Sequence, residues 1–547
     1  MDLGLRLTIS ASACLLPLVP LGLRLTDLQV LRHGSLQSRA QSEFARVVQE
    51  AAPRAEILDR DGRVLAQSVP SWSCFVDKAM VKDPAAFGAR LAPLLGLPAR
   101  ALAAKARGSG RFAWLKKGLS ASQADALRRA RVRGVGVVPI QRRVYPNGDL
   151  ARGVLGLVGT DGRGLAGVEL TLDSRLRGTP GRFDLIRDGA GRTIYKRVAE
   201  DGSTPPPVRL TIDRDVQYLA EKALRDGAAR SRFESGDVVV EDPATGEILA
   251  MASWPPTPLK NPSVQDAYEP GSTFKIVTAL AALDSGLVTP TQTFNAENGR
   301  WEIVPGVVIT DVERESRLTL EQILEKSSNI GISKVSALLG AVPFYRMCRV
   351  FGFGARTGIS LPGETAGDLK PLSDLTKVGL ASASYGYGQQ VSPLQVVSAY
   401  SAIADGGILR EPKLVLDGRA PVEVRRVAST AAVDELQRML EGVVEQGTGT
   451  TARIPGYRIA GKTGTARQID PETHRYSATD YTASFVGFLP VSKPRWTILV
   501  VLNAPRSSYY GAQTAGPIFR ELASRLLVLD AVPPDAPVDA ELAAARR

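Results

Sequence analysis

The chain has 547 residues, of which 44% are hydrophobic and 23% are charged, and it carries a net charge of +12. This size and composition predict two or three folded domains and exclude a small disulfide-stapled scaffold and a disordered or fibrous chain. The chain has only two histidines and three unclustered cysteines, with no zinc-site spacing, so we expect neither a metal nor a cofactor, and lysine is the expected base for any nucleophile.

An uncharged and largely apolar stretch runs from Leu7 to Leu23 between two arginines. It is just long enough to cross a bilayer as a helix. A cleaved signal peptide is the alternative, because residues 11–13 resemble a cleavage site, but that cut would leave residues 15–23 as an exposed apolar run. We therefore expect residues 1–33 to hold a cytoplasmic stub and a transmembrane helix, with the remainder of the chain on one side of the membrane.

Arginine is frequent in the first third of the chain, as in Arg128, Arg129, Arg131 and Arg133. A basic surface of this kind suits nucleic acid, an anionic membrane or an acidic polymer. No zinc finger, RNA-binding signature or basic zipper accompanies it, which disfavours nucleic acid. A solvated basic face is the simpler interpretation.

A polar and proline-rich stretch from Asp201 to Pro207 interrupts the chain, because consecutive prolines propagate neither a helix nor a central strand. We place a boundary there and assign residues 34–205 to one domain and 206–530 to a second. Residues 531–547 are proline-rich at their start and predict a tail without core residues.

The second domain alternates strand and helix patterns. The run GDVVVEDPATGEILAMAS predicts a hairpin, STFKIVTALAALDSG predicts a helix ended by Gly286, and LTLEQILEK predicts a helix capped by Thr319 with Gln322. Near its end, YRIAGKTGTA, YTASFVGFLP and WTILVVLNAP predict three strands, and GPIFRELASRLLVL predicts a closing helix. This order indicates an α+β domain, in which an antiparallel sheet is assembled from distant segments with helices packed on it.

Ser272 and Lys275 form a Ser-x-x-Lys pattern at the start of the predicted helix. Positions three apart lie on one helix face, so the Lys275 amine can reach the Ser272 hydroxyl and act as its base. The helix dipole favours negative charge at Ser272 during acyl transfer. An ordinary capped helix start explains the pattern alone equally well.

Ser327 and Asn329 form a Ser-x-Asn pattern between two helical segments. As a functional pair, Ser327 relays a proton between Lys275 and the substrate, and Asn329 hydrogen-bonds a substrate amide. A turn or helix cap is the structural alternative.

Lys462, Thr463, Gly464 and Thr465 lie in a predicted strand that a glycine interrupts. Glycine in a strand often marks a close approach of a ligand backbone. Lys462 and Thr463 are suited to hold a substrate carboxylate, and the Thr465 N–H is suited to an oxyanion hole beside that of Ser272. A bulge or an exposed edge charge is the alternative for this motif taken alone.

Each of the three patterns occurs once, and they occur in the order Ser-x-x-Lys, Ser-x-Asn, Lys-Thr-Gly within one α/β region. With AYEPGSTFKIVTALAALDSGLVTP, LEKSSNIGISKVSALLG and ASYGYGQQVSPLQVVSAYSAIADGG, the chain resembles the class B penicillin-binding proteins, and most closely their division-specific and sporulation-type members. The segments RAEILDRDGRVLA, RRVYPNGDLARGVLGLVG and GLAGVELTLDSRLRG are similar to the non-catalytic pedestal, or dimerisation-type, domain of that class.

The resemblance implies an elongated, mostly β or mixed pedestal and a penicillin-binding, β-lactamase-like transpeptidase domain. It implies a single-pass protein of the cytoplasmic membrane with an extracytoplasmic catalytic domain, which cross-links peptidoglycan stem peptides in septal wall synthesis through an acyl-serine and is acylated by β-lactams. A multi-spanning, lipid-linked glycan polymerase and other division proteins are the implied partners. Lys275 must be neutral to act as a base, and we expect the nearby Lys462 charge to lower its proton affinity.

Three alternatives stay open on the residues alone. A D,D-carboxypeptidase has the same motifs and uses water as the acceptor. A β-lactamase needs a glutamate-held water, for which Glu364 is the nearest candidate, although its glycine and proline neighbours favour a surface turn. A non-catalytic β-lactam sensor or division scaffold is the third, and the intact motif residues argue against it.

Overall fold

The computed structural model describes residues 2–16, 18–36, 45–50, 52–108, 110–187, 193–470, 472–473 and 475–537. By its internal contacts the chain divides into two units. The first comprises Met1–Arg54, Ser68–Arg142 and Arg177–Pro205, and the second comprises Ala55–Gln67, Arg143–Leu176 and Pro206–Arg547.

The elements up to residue 205 are short and mixed. In chain order they are α1 (Leu3–Leu15), α2 (Leu18–Thr26), β1 (Ala45–Glu50), β2 (Ile57–Leu58), β3 (Val64–Asp77), α3 (Pro84–Leu95), α4 (Ala99–Arg107), β4 (Phe112–Leu119), α5 (Ala121–Ala130), β5 (Val135–Val144), α6 (Arg152–Leu155), α7 (Gly167–Thr171), α8 (Asp173–Leu176), β6 (Gly181–Arg187) and β7 (Thr193–Glu200). The expected transmembrane stretch coincides with parts of α1 and α2. Of the helices in the described residues, none is both long enough and apolar enough to span a bilayer.

The remaining elements belong to the second unit. They are β8 (Val208–Arg209), α9 (Arg214–Ser231), β9 (Ser235–Asp242), β10 (Glu247–Trp254), α10 (Pro262–Gln265), α11 (Lys275–Asp284), β11 (Thr293–Asn295), β12 (Arg300–Val304), β13 (Val307–Thr310), β14 (Arg317–Thr319), α12 (Leu320–Glu325), α13 (Asn329–Leu339), α14 (Ala341–Val350), α15 (Lys377–Ser384), α16 (Pro393–Ala404), β15 (Ile408–Arg410), β16 (Glu423–Arg426), α17 (Thr430–Glu445), β17 (Ala460–Ile469), β18 (Tyr476–Leu489), β19 (Trp496–Asn503) and α18 (Gly511–Leu529).

A five-stranded antiparallel sheet in the order β10-β9-β19-β18-β17 forms the centre of the second unit. Both of its faces are buried: Val238 and Val240 join one hydrophobic cluster with α9 and α18, whereas Val239 joins the other with α11 and α16. Because side chains alternate between faces along a strand, a strand buried on both sides is apolar at successive positions. This explains the continuous apolar runs of β9 and β19.

The predicted elements of the catalytic region are observed. The hairpin is β9–β10, the three late strands are β17–β19, and the closing helix is α18. Thr319 and Gln322 form the reciprocal cap of α12, with N···O distances of 3.0 and 3.1 Å. Gly286 follows the C-terminus of α11 with φ +65°, as its predicted capping position requires.

Two segments of the predicted pedestal, 55–67 and 143–176, belong to the second unit. Ile57 and Leu58 of β2 pair in parallel with β8, and Ile57, Val154 and Val168 are fully buried in the main core of that unit. Their burial explains why a boundary drawn on chain texture alone differs from the observed division. The predicted tail is described to residue 537, and its Val532 joins the core, with 9% exposure.

A buried glutamine fastens α9 to the edge strand β10. The Gln217 amide donates to the Met251 carbonyl at 3.0 Å and accepts from the Met251 N–H at 2.8 Å, and neither residue is solvated. Gln217 thereby supplies the backbone partners that an edge strand otherwise lacks.

We expect Gln217→Ala to lower the free energy of unfolding of the second unit by roughly 2–4 kcal/mol, because two buried backbone groups lose their partners. Denaturant titration followed by circular dichroism measures this. Tyr218→Ala, at the neighbouring and 52% exposed position, is the matched control and should cost less than about 1 kcal/mol. Equal losses in the two variants would contradict the role assigned to Gln217.

Candidate active site

Ser272 lies in the 3-10 turn Gly271–Phe274, immediately before α11. The helix therefore begins at Lys275 and not at Ser272 as the sequence predicts. Gly271 has φ +55°, and a Cβ there would lie 2.9 Å from the Thr465 carbonyl oxygen of β17. Glycine is required at this position because only it permits the left-handed conformation and the close approach to β17. In a 3-10 turn residues three apart are aligned, which keeps Ser272 and Lys275 on one side.

Lys275 is fully buried, and its amine lies against the second motif. Its Nζ is 2.5 Å from the Ser327 carbonyl oxygen, 3.1 Å from Ser327 Oγ and 3.0 Å from Asn329 Oδ1. The structure thus brings the first and second motifs together. Three acceptors match the three hydrogens of an ammonium, and in the neutral amine the Ser327 hydroxyl can reverse and donate to Nζ. That reversible contact has the chemistry that a proton relay requires.

Asp311 organises the second motif and was not found from the sequence. Its Oδ1 accepts from the N–H groups of Asn329 and Ile330 at 2.6 and 3.0 Å, and Ser328 Oγ donates to its Oδ2 at 2.5 Å. Ser328 in turn caps α13 through the Gly331 N–H. The carboxylate therefore orders the start of α13, from which Asn329 contacts Lys275. An isolated aspartate 18 residues before the residue it supports has no motif signal.

The third motif lies on β17, the strand that borders the nucleophile turn. Lys462 is fully buried, and its Nζ is 3.4 Å from both Thr463 oxygens. Thr463 Oγ1 lies 3.0 Å from Thr448 Oγ1, a second partner that sequence patterns did not indicate. Thr465 accepts from the Gly511 N–H at 3.2 Å through its hydroxyl, and its own N–H stays a predicted donor to the oxyanion.

Glycine is required at position 464 for a different reason from the predicted approach of a ligand. A Cβ on Gly464 would lie 2.2 Å from Ser484 Oγ and 3.0 Å from both the Pro270 carbonyl oxygen and Thr273 Cγ2. The close approach is therefore that of the chain's own nucleophile turn. The glycine keeps β17 in contact with the turn that carries Ser272.

Both lysines are buried without a carboxylate within ion-pair distance, as far as the described part of the chain extends. Burial, and then the positive charge of Lys462, lower the pKa of Lys275 well below its ordinary value, while Asp311 acts in the opposite direction. Burial lowers the pKa of Lys462 to about 7. Lys275 is thus able to hold the free amine that deprotonation of a serine needs.

Ser272, a buried lysine one turn away and a strand that carries a second lysine form the arrangement expected of a serine acyl-transfer enzyme. Family comparison agrees: residues 236–524 match the penicillin-binding protein transpeptidase domain and residues 49–208 match the penicillin-binding protein dimerisation domain. The chain belongs to the penicillin-binding protein transpeptidase family.

Its relatives match over most of their length. The peptidoglycan D,D-transpeptidase FtsI of Escherichia coli K12 is 33% identical, over 94% of this chain and 90% of the relative. The probable peptidoglycan D,D-transpeptidase PbpC of Pseudomonas aeruginosa is 32% identical, over 94% and 93%. Among solved structures, penicillin-binding protein 3 of Mycobacterium tuberculosis in complex with aztreonam is 28% identical, with a TM-score of 0.68 over 90% of this chain and 99% of that one.

Asp311 provides a test of the electrostatics at Lys275. Its negative charge favours the lysine ammonium, so Asp311→Asn lowers the pKa of Lys275 further. We expect the acid limb of the rate of acylation by penicillin to move to lower pH by roughly half to one unit. The rate of acylation is measured in quenched reactions from about pH 4 to about pH 9, a range wide enough to resolve a shift of ~1 unit.

The control is Asp284→Asn. Asp284 accepts from the Ser429 N–H at the opposite end of α11, about 14 Å along the helix. Its substitution should leave the acid limb in place. A limb that moves to higher pH in Asp311→Asn would show that Asp311 does not act on Lys275 by its charge.

Proposed function

We propose that this protein is a peptidoglycan D,D-transpeptidase that cross-links stem peptides in septal wall synthesis and is covalently inhibited by penicillins. The observation that carries the proposal is the buried Lys275 amine, in contact with Ser327 and Asn329 and one turn from Ser272. The names of the relatives, peptidoglycan D,D-transpeptidases, support the same substrate class.

The first half of the reaction forms an acyl-enzyme. Lys275 takes the proton of the Ser272 hydroxyl, and Oγ attacks the carbonyl carbon of the D-alanyl-D-alanine amide. The N–H groups of Ser272 and Thr465 stabilise the oxyanion. The C–N bond then breaks, and the proton held by Lys275 passes to the leaving amine through Ser327, so that D-alanine departs.

The substrate supplies the carboxylate partner that the buried Lys462 lacks. A buried lysine without an acidic partner is costly to keep charged. A substrate carboxylate at Lys462 and Thr463 stabilises the ammonium form, so the site favours peptides that end in a carboxylate. An amine from a neighbouring stem peptide then attacks the Ser272 ester and completes the cross-link.

The hydrogen bonds of Glu364 disfavour a role for it in hydrolysis. Its Oε1 accepts from the N–H and the hydroxyl of Thr357 at 2.5 and 2.6 Å, and its Oε2 accepts from the Gly358 N–H at 3.2 Å. The carboxylate is therefore engaged in holding its own loop. This favours a long-lived acyl-enzyme with penicillin over rapid β-lactam hydrolysis.

Fluorescent penicillin tests the acyl-serine. We expect the protein to be labelled covalently and to release the label over hours, because Glu364, the candidate for holding a hydrolytic water, is engaged by Thr357 and Gly358. Ser272→Ala should abolish labelling, whereas Ser285→Ala, at the other end of the same helix, should keep it. Release within seconds would indicate a β-lactamase, and labelling that survives Ser272→Ala would place the nucleophile elsewhere.

The N-terminal region anchors the enzyme in the cytoplasmic membrane in this proposal, with the catalytic domain outside. The stretch from Leu7 to Leu23 has no charged residue. Leucine and valine side chains on α1 and α2 are exposed, among them Leu16 at 71% and Val19 at 64%. Such surface is costly in water and is stabilised by lipid. The anchor and the first unit are the surfaces through which a lipid-linked glycan polymerase and division proteins bind.

Membrane flotation tests the anchor. The full-length protein should float with vesicles and resist extraction by alkaline carbonate, and a chain that lacks residues 2–33 should not, because the burial of roughly 0.8 kcal/mol per methylene is lost. Protease added outside intact spheroplasts should digest the chain after residue 34. Protection from that protease, or flotation of the truncated chain, would contradict the topology.

A further inference from the structure

A cavity of about 620 Å³ lies in the second unit against the segment that leads to the nucleophile. Its wall combines residues of β9, β17, β18 and β19 with residues of α10 and the segment 266–269. Neither Ser272 nor Lys275 lines it, so it is separate from the contacts described for the acylation step.

The wall of this cavity is acidic. Four carboxylates line it, those of Glu234, Asp237, Asp266 and Glu269, against the one guanidinium of Arg467. The Arg467 guanidinium lies 5.9 Å from the centre of the Tyr481 ring. Because Tyr481 and Thr482 are successive residues of β18, their side chains point to opposite faces, and it is Thr482 that lines the cavity. Lys260 and Arg506 pair with two of these carboxylates, and burial raises the pKa of Asp237 to about 7, so Glu269 is the carboxylate that remains to attract a cation at neutral pH.

Each of the four carboxylates has at least one partner, and they differ in whether a second oxygen is left without a donor. Asp266 pairs with Lys260 at 2.5 Å, Glu234 pairs with an arginine at 2.5 Å, and Asp237 accepts from Ser253 Oγ at 2.7 Å. In Glu269 both donors bind the same oxygen. Its Oε1 accepts from the Gly388 N–H at 2.7 Å and from the Tyr476 hydroxyl at 3.0 Å.

The second oxygen of Glu269 has no donor. Glu269 is 8% exposed, and its Oε2 is buried without a hydrogen-bond partner among the described residues, as is the hydroxyl of the adjacent Tyr268. A buried carboxylate oxygen without a donor is unfavourable, and a charged N–H group is the partner that stabilises it most. Burial also raises the pKa of Glu269, which brings its basicity closer to that of an amine.

We propose that this cavity binds the ammonium group of the acceptor stem peptide, and that Glu269 receives its proton. The inference rests on the proposed transpeptidase function. Glu269 is three residues before Ser272, so their Cα atoms are at most roughly 11 Å apart. Once it has lost its proton, the amine leaves Glu269 and has to move by no more than a distance of this order, which a flexible side chain spans, to the ester that Ser272 carries.

The step balances without a further reactant. The acceptor R–NH₃⁺ gives one proton to the Glu269 carboxylate and becomes R–NH₂. The amine nitrogen attacks the ester carbon, the C–N bond forms and the bond from carbon to Ser272 Oγ breaks. The second proton of the nitrogen returns to Oγ through Lys275, and Glu269 releases its proton to solvent.

The test measures how one acyl-enzyme partitions between two fates. The full-length protein is acylated with an N-acyl-D-alanyl thioester at pH 7, and the ratio of aminolysis product to hydrolysed acid is measured by mass spectrometry. One nucleophile is D-alaninamide, which is mainly an ammonium ion at pH 7, and the other is hydroxylamine, which is mainly neutral. The ratio is independent of the rate of acylation and of the fraction of protein that is folded.

We expect Glu269→Gln to lower the ratio for D-alaninamide at least about tenfold and to leave that for hydroxylamine within about twofold. The glutamine oxygen can still accept from Gly388 and Tyr476, so the surrounding loops keep their contact. Glu423→Gln removes the same charge at an exposed position of β16 and should retain both parental ratios.

An unchanged ratio for D-alaninamide would overturn the proposal. An equal fall for both nucleophiles would also overturn it, because Glu269 would then only hold the loops around the nucleophile. Failure of the parental protein to form any acyl-enzyme with the thioester would instead refute the transpeptidase function on which the inference depends.

Discussion

The burial of the Lys275 amine is the constraint on which the catalytic unit depends. A lysine removed from water loses its proton readily, and the fully buried Lys462 nearby reinforces this effect by repulsion. A free lysine amine acts as a base only when a hydroxyl is close enough to transfer its proton to the amine nitrogen. Burial therefore has to be achieved by elements that also bring Ser327 to the amine and carry Ser272 one turn away from it.

Those elements are held by a sheet that is buried on both faces. The strand that carries Lys462 is at one edge of this sheet, and the nucleophile turn rests directly on it. Across this contact Gly271 lies against Thr465, the residue after Gly464, and Gly464 lies against Pro270, the residue before Gly271. Neither glycine position has room for a side chain. Backbone contacts of this kind vary little with side-chain motion, so they hold the turn that carries Ser272 close to β17.

The same segment serves both halves of the reaction in our account. Ser272 lies at its end and acts on the donor peptide, whereas Glu269 lies three residues earlier and faces an acidic cavity. Glu269 also binds Gly388 and the Tyr476 hydroxyl, which connects the segment to the tyrosine-rich stretch and to the β17–β18 hairpin. A change in either neighbour is thereby transmitted to the carboxylate by direct contacts.

The amino-acid sequence by itself determined the fold class, the β9–β10 hairpin, the three late strands, the helices α11, α12 and α18, and the three motifs, because periodicity and short spacing act locally. Only the tertiary structure decided that α11 begins at Lys275 and that segments 55–67 and 143–176 join the second unit. It also decided that Asp311 and Thr448 contact the motif residues and that Glu269 lines a separate cavity. These features depend on contacts between residues far apart in the chain. A single carboxylate or hydroxyl has no local pattern, and its partner becomes known only when the chain has folded.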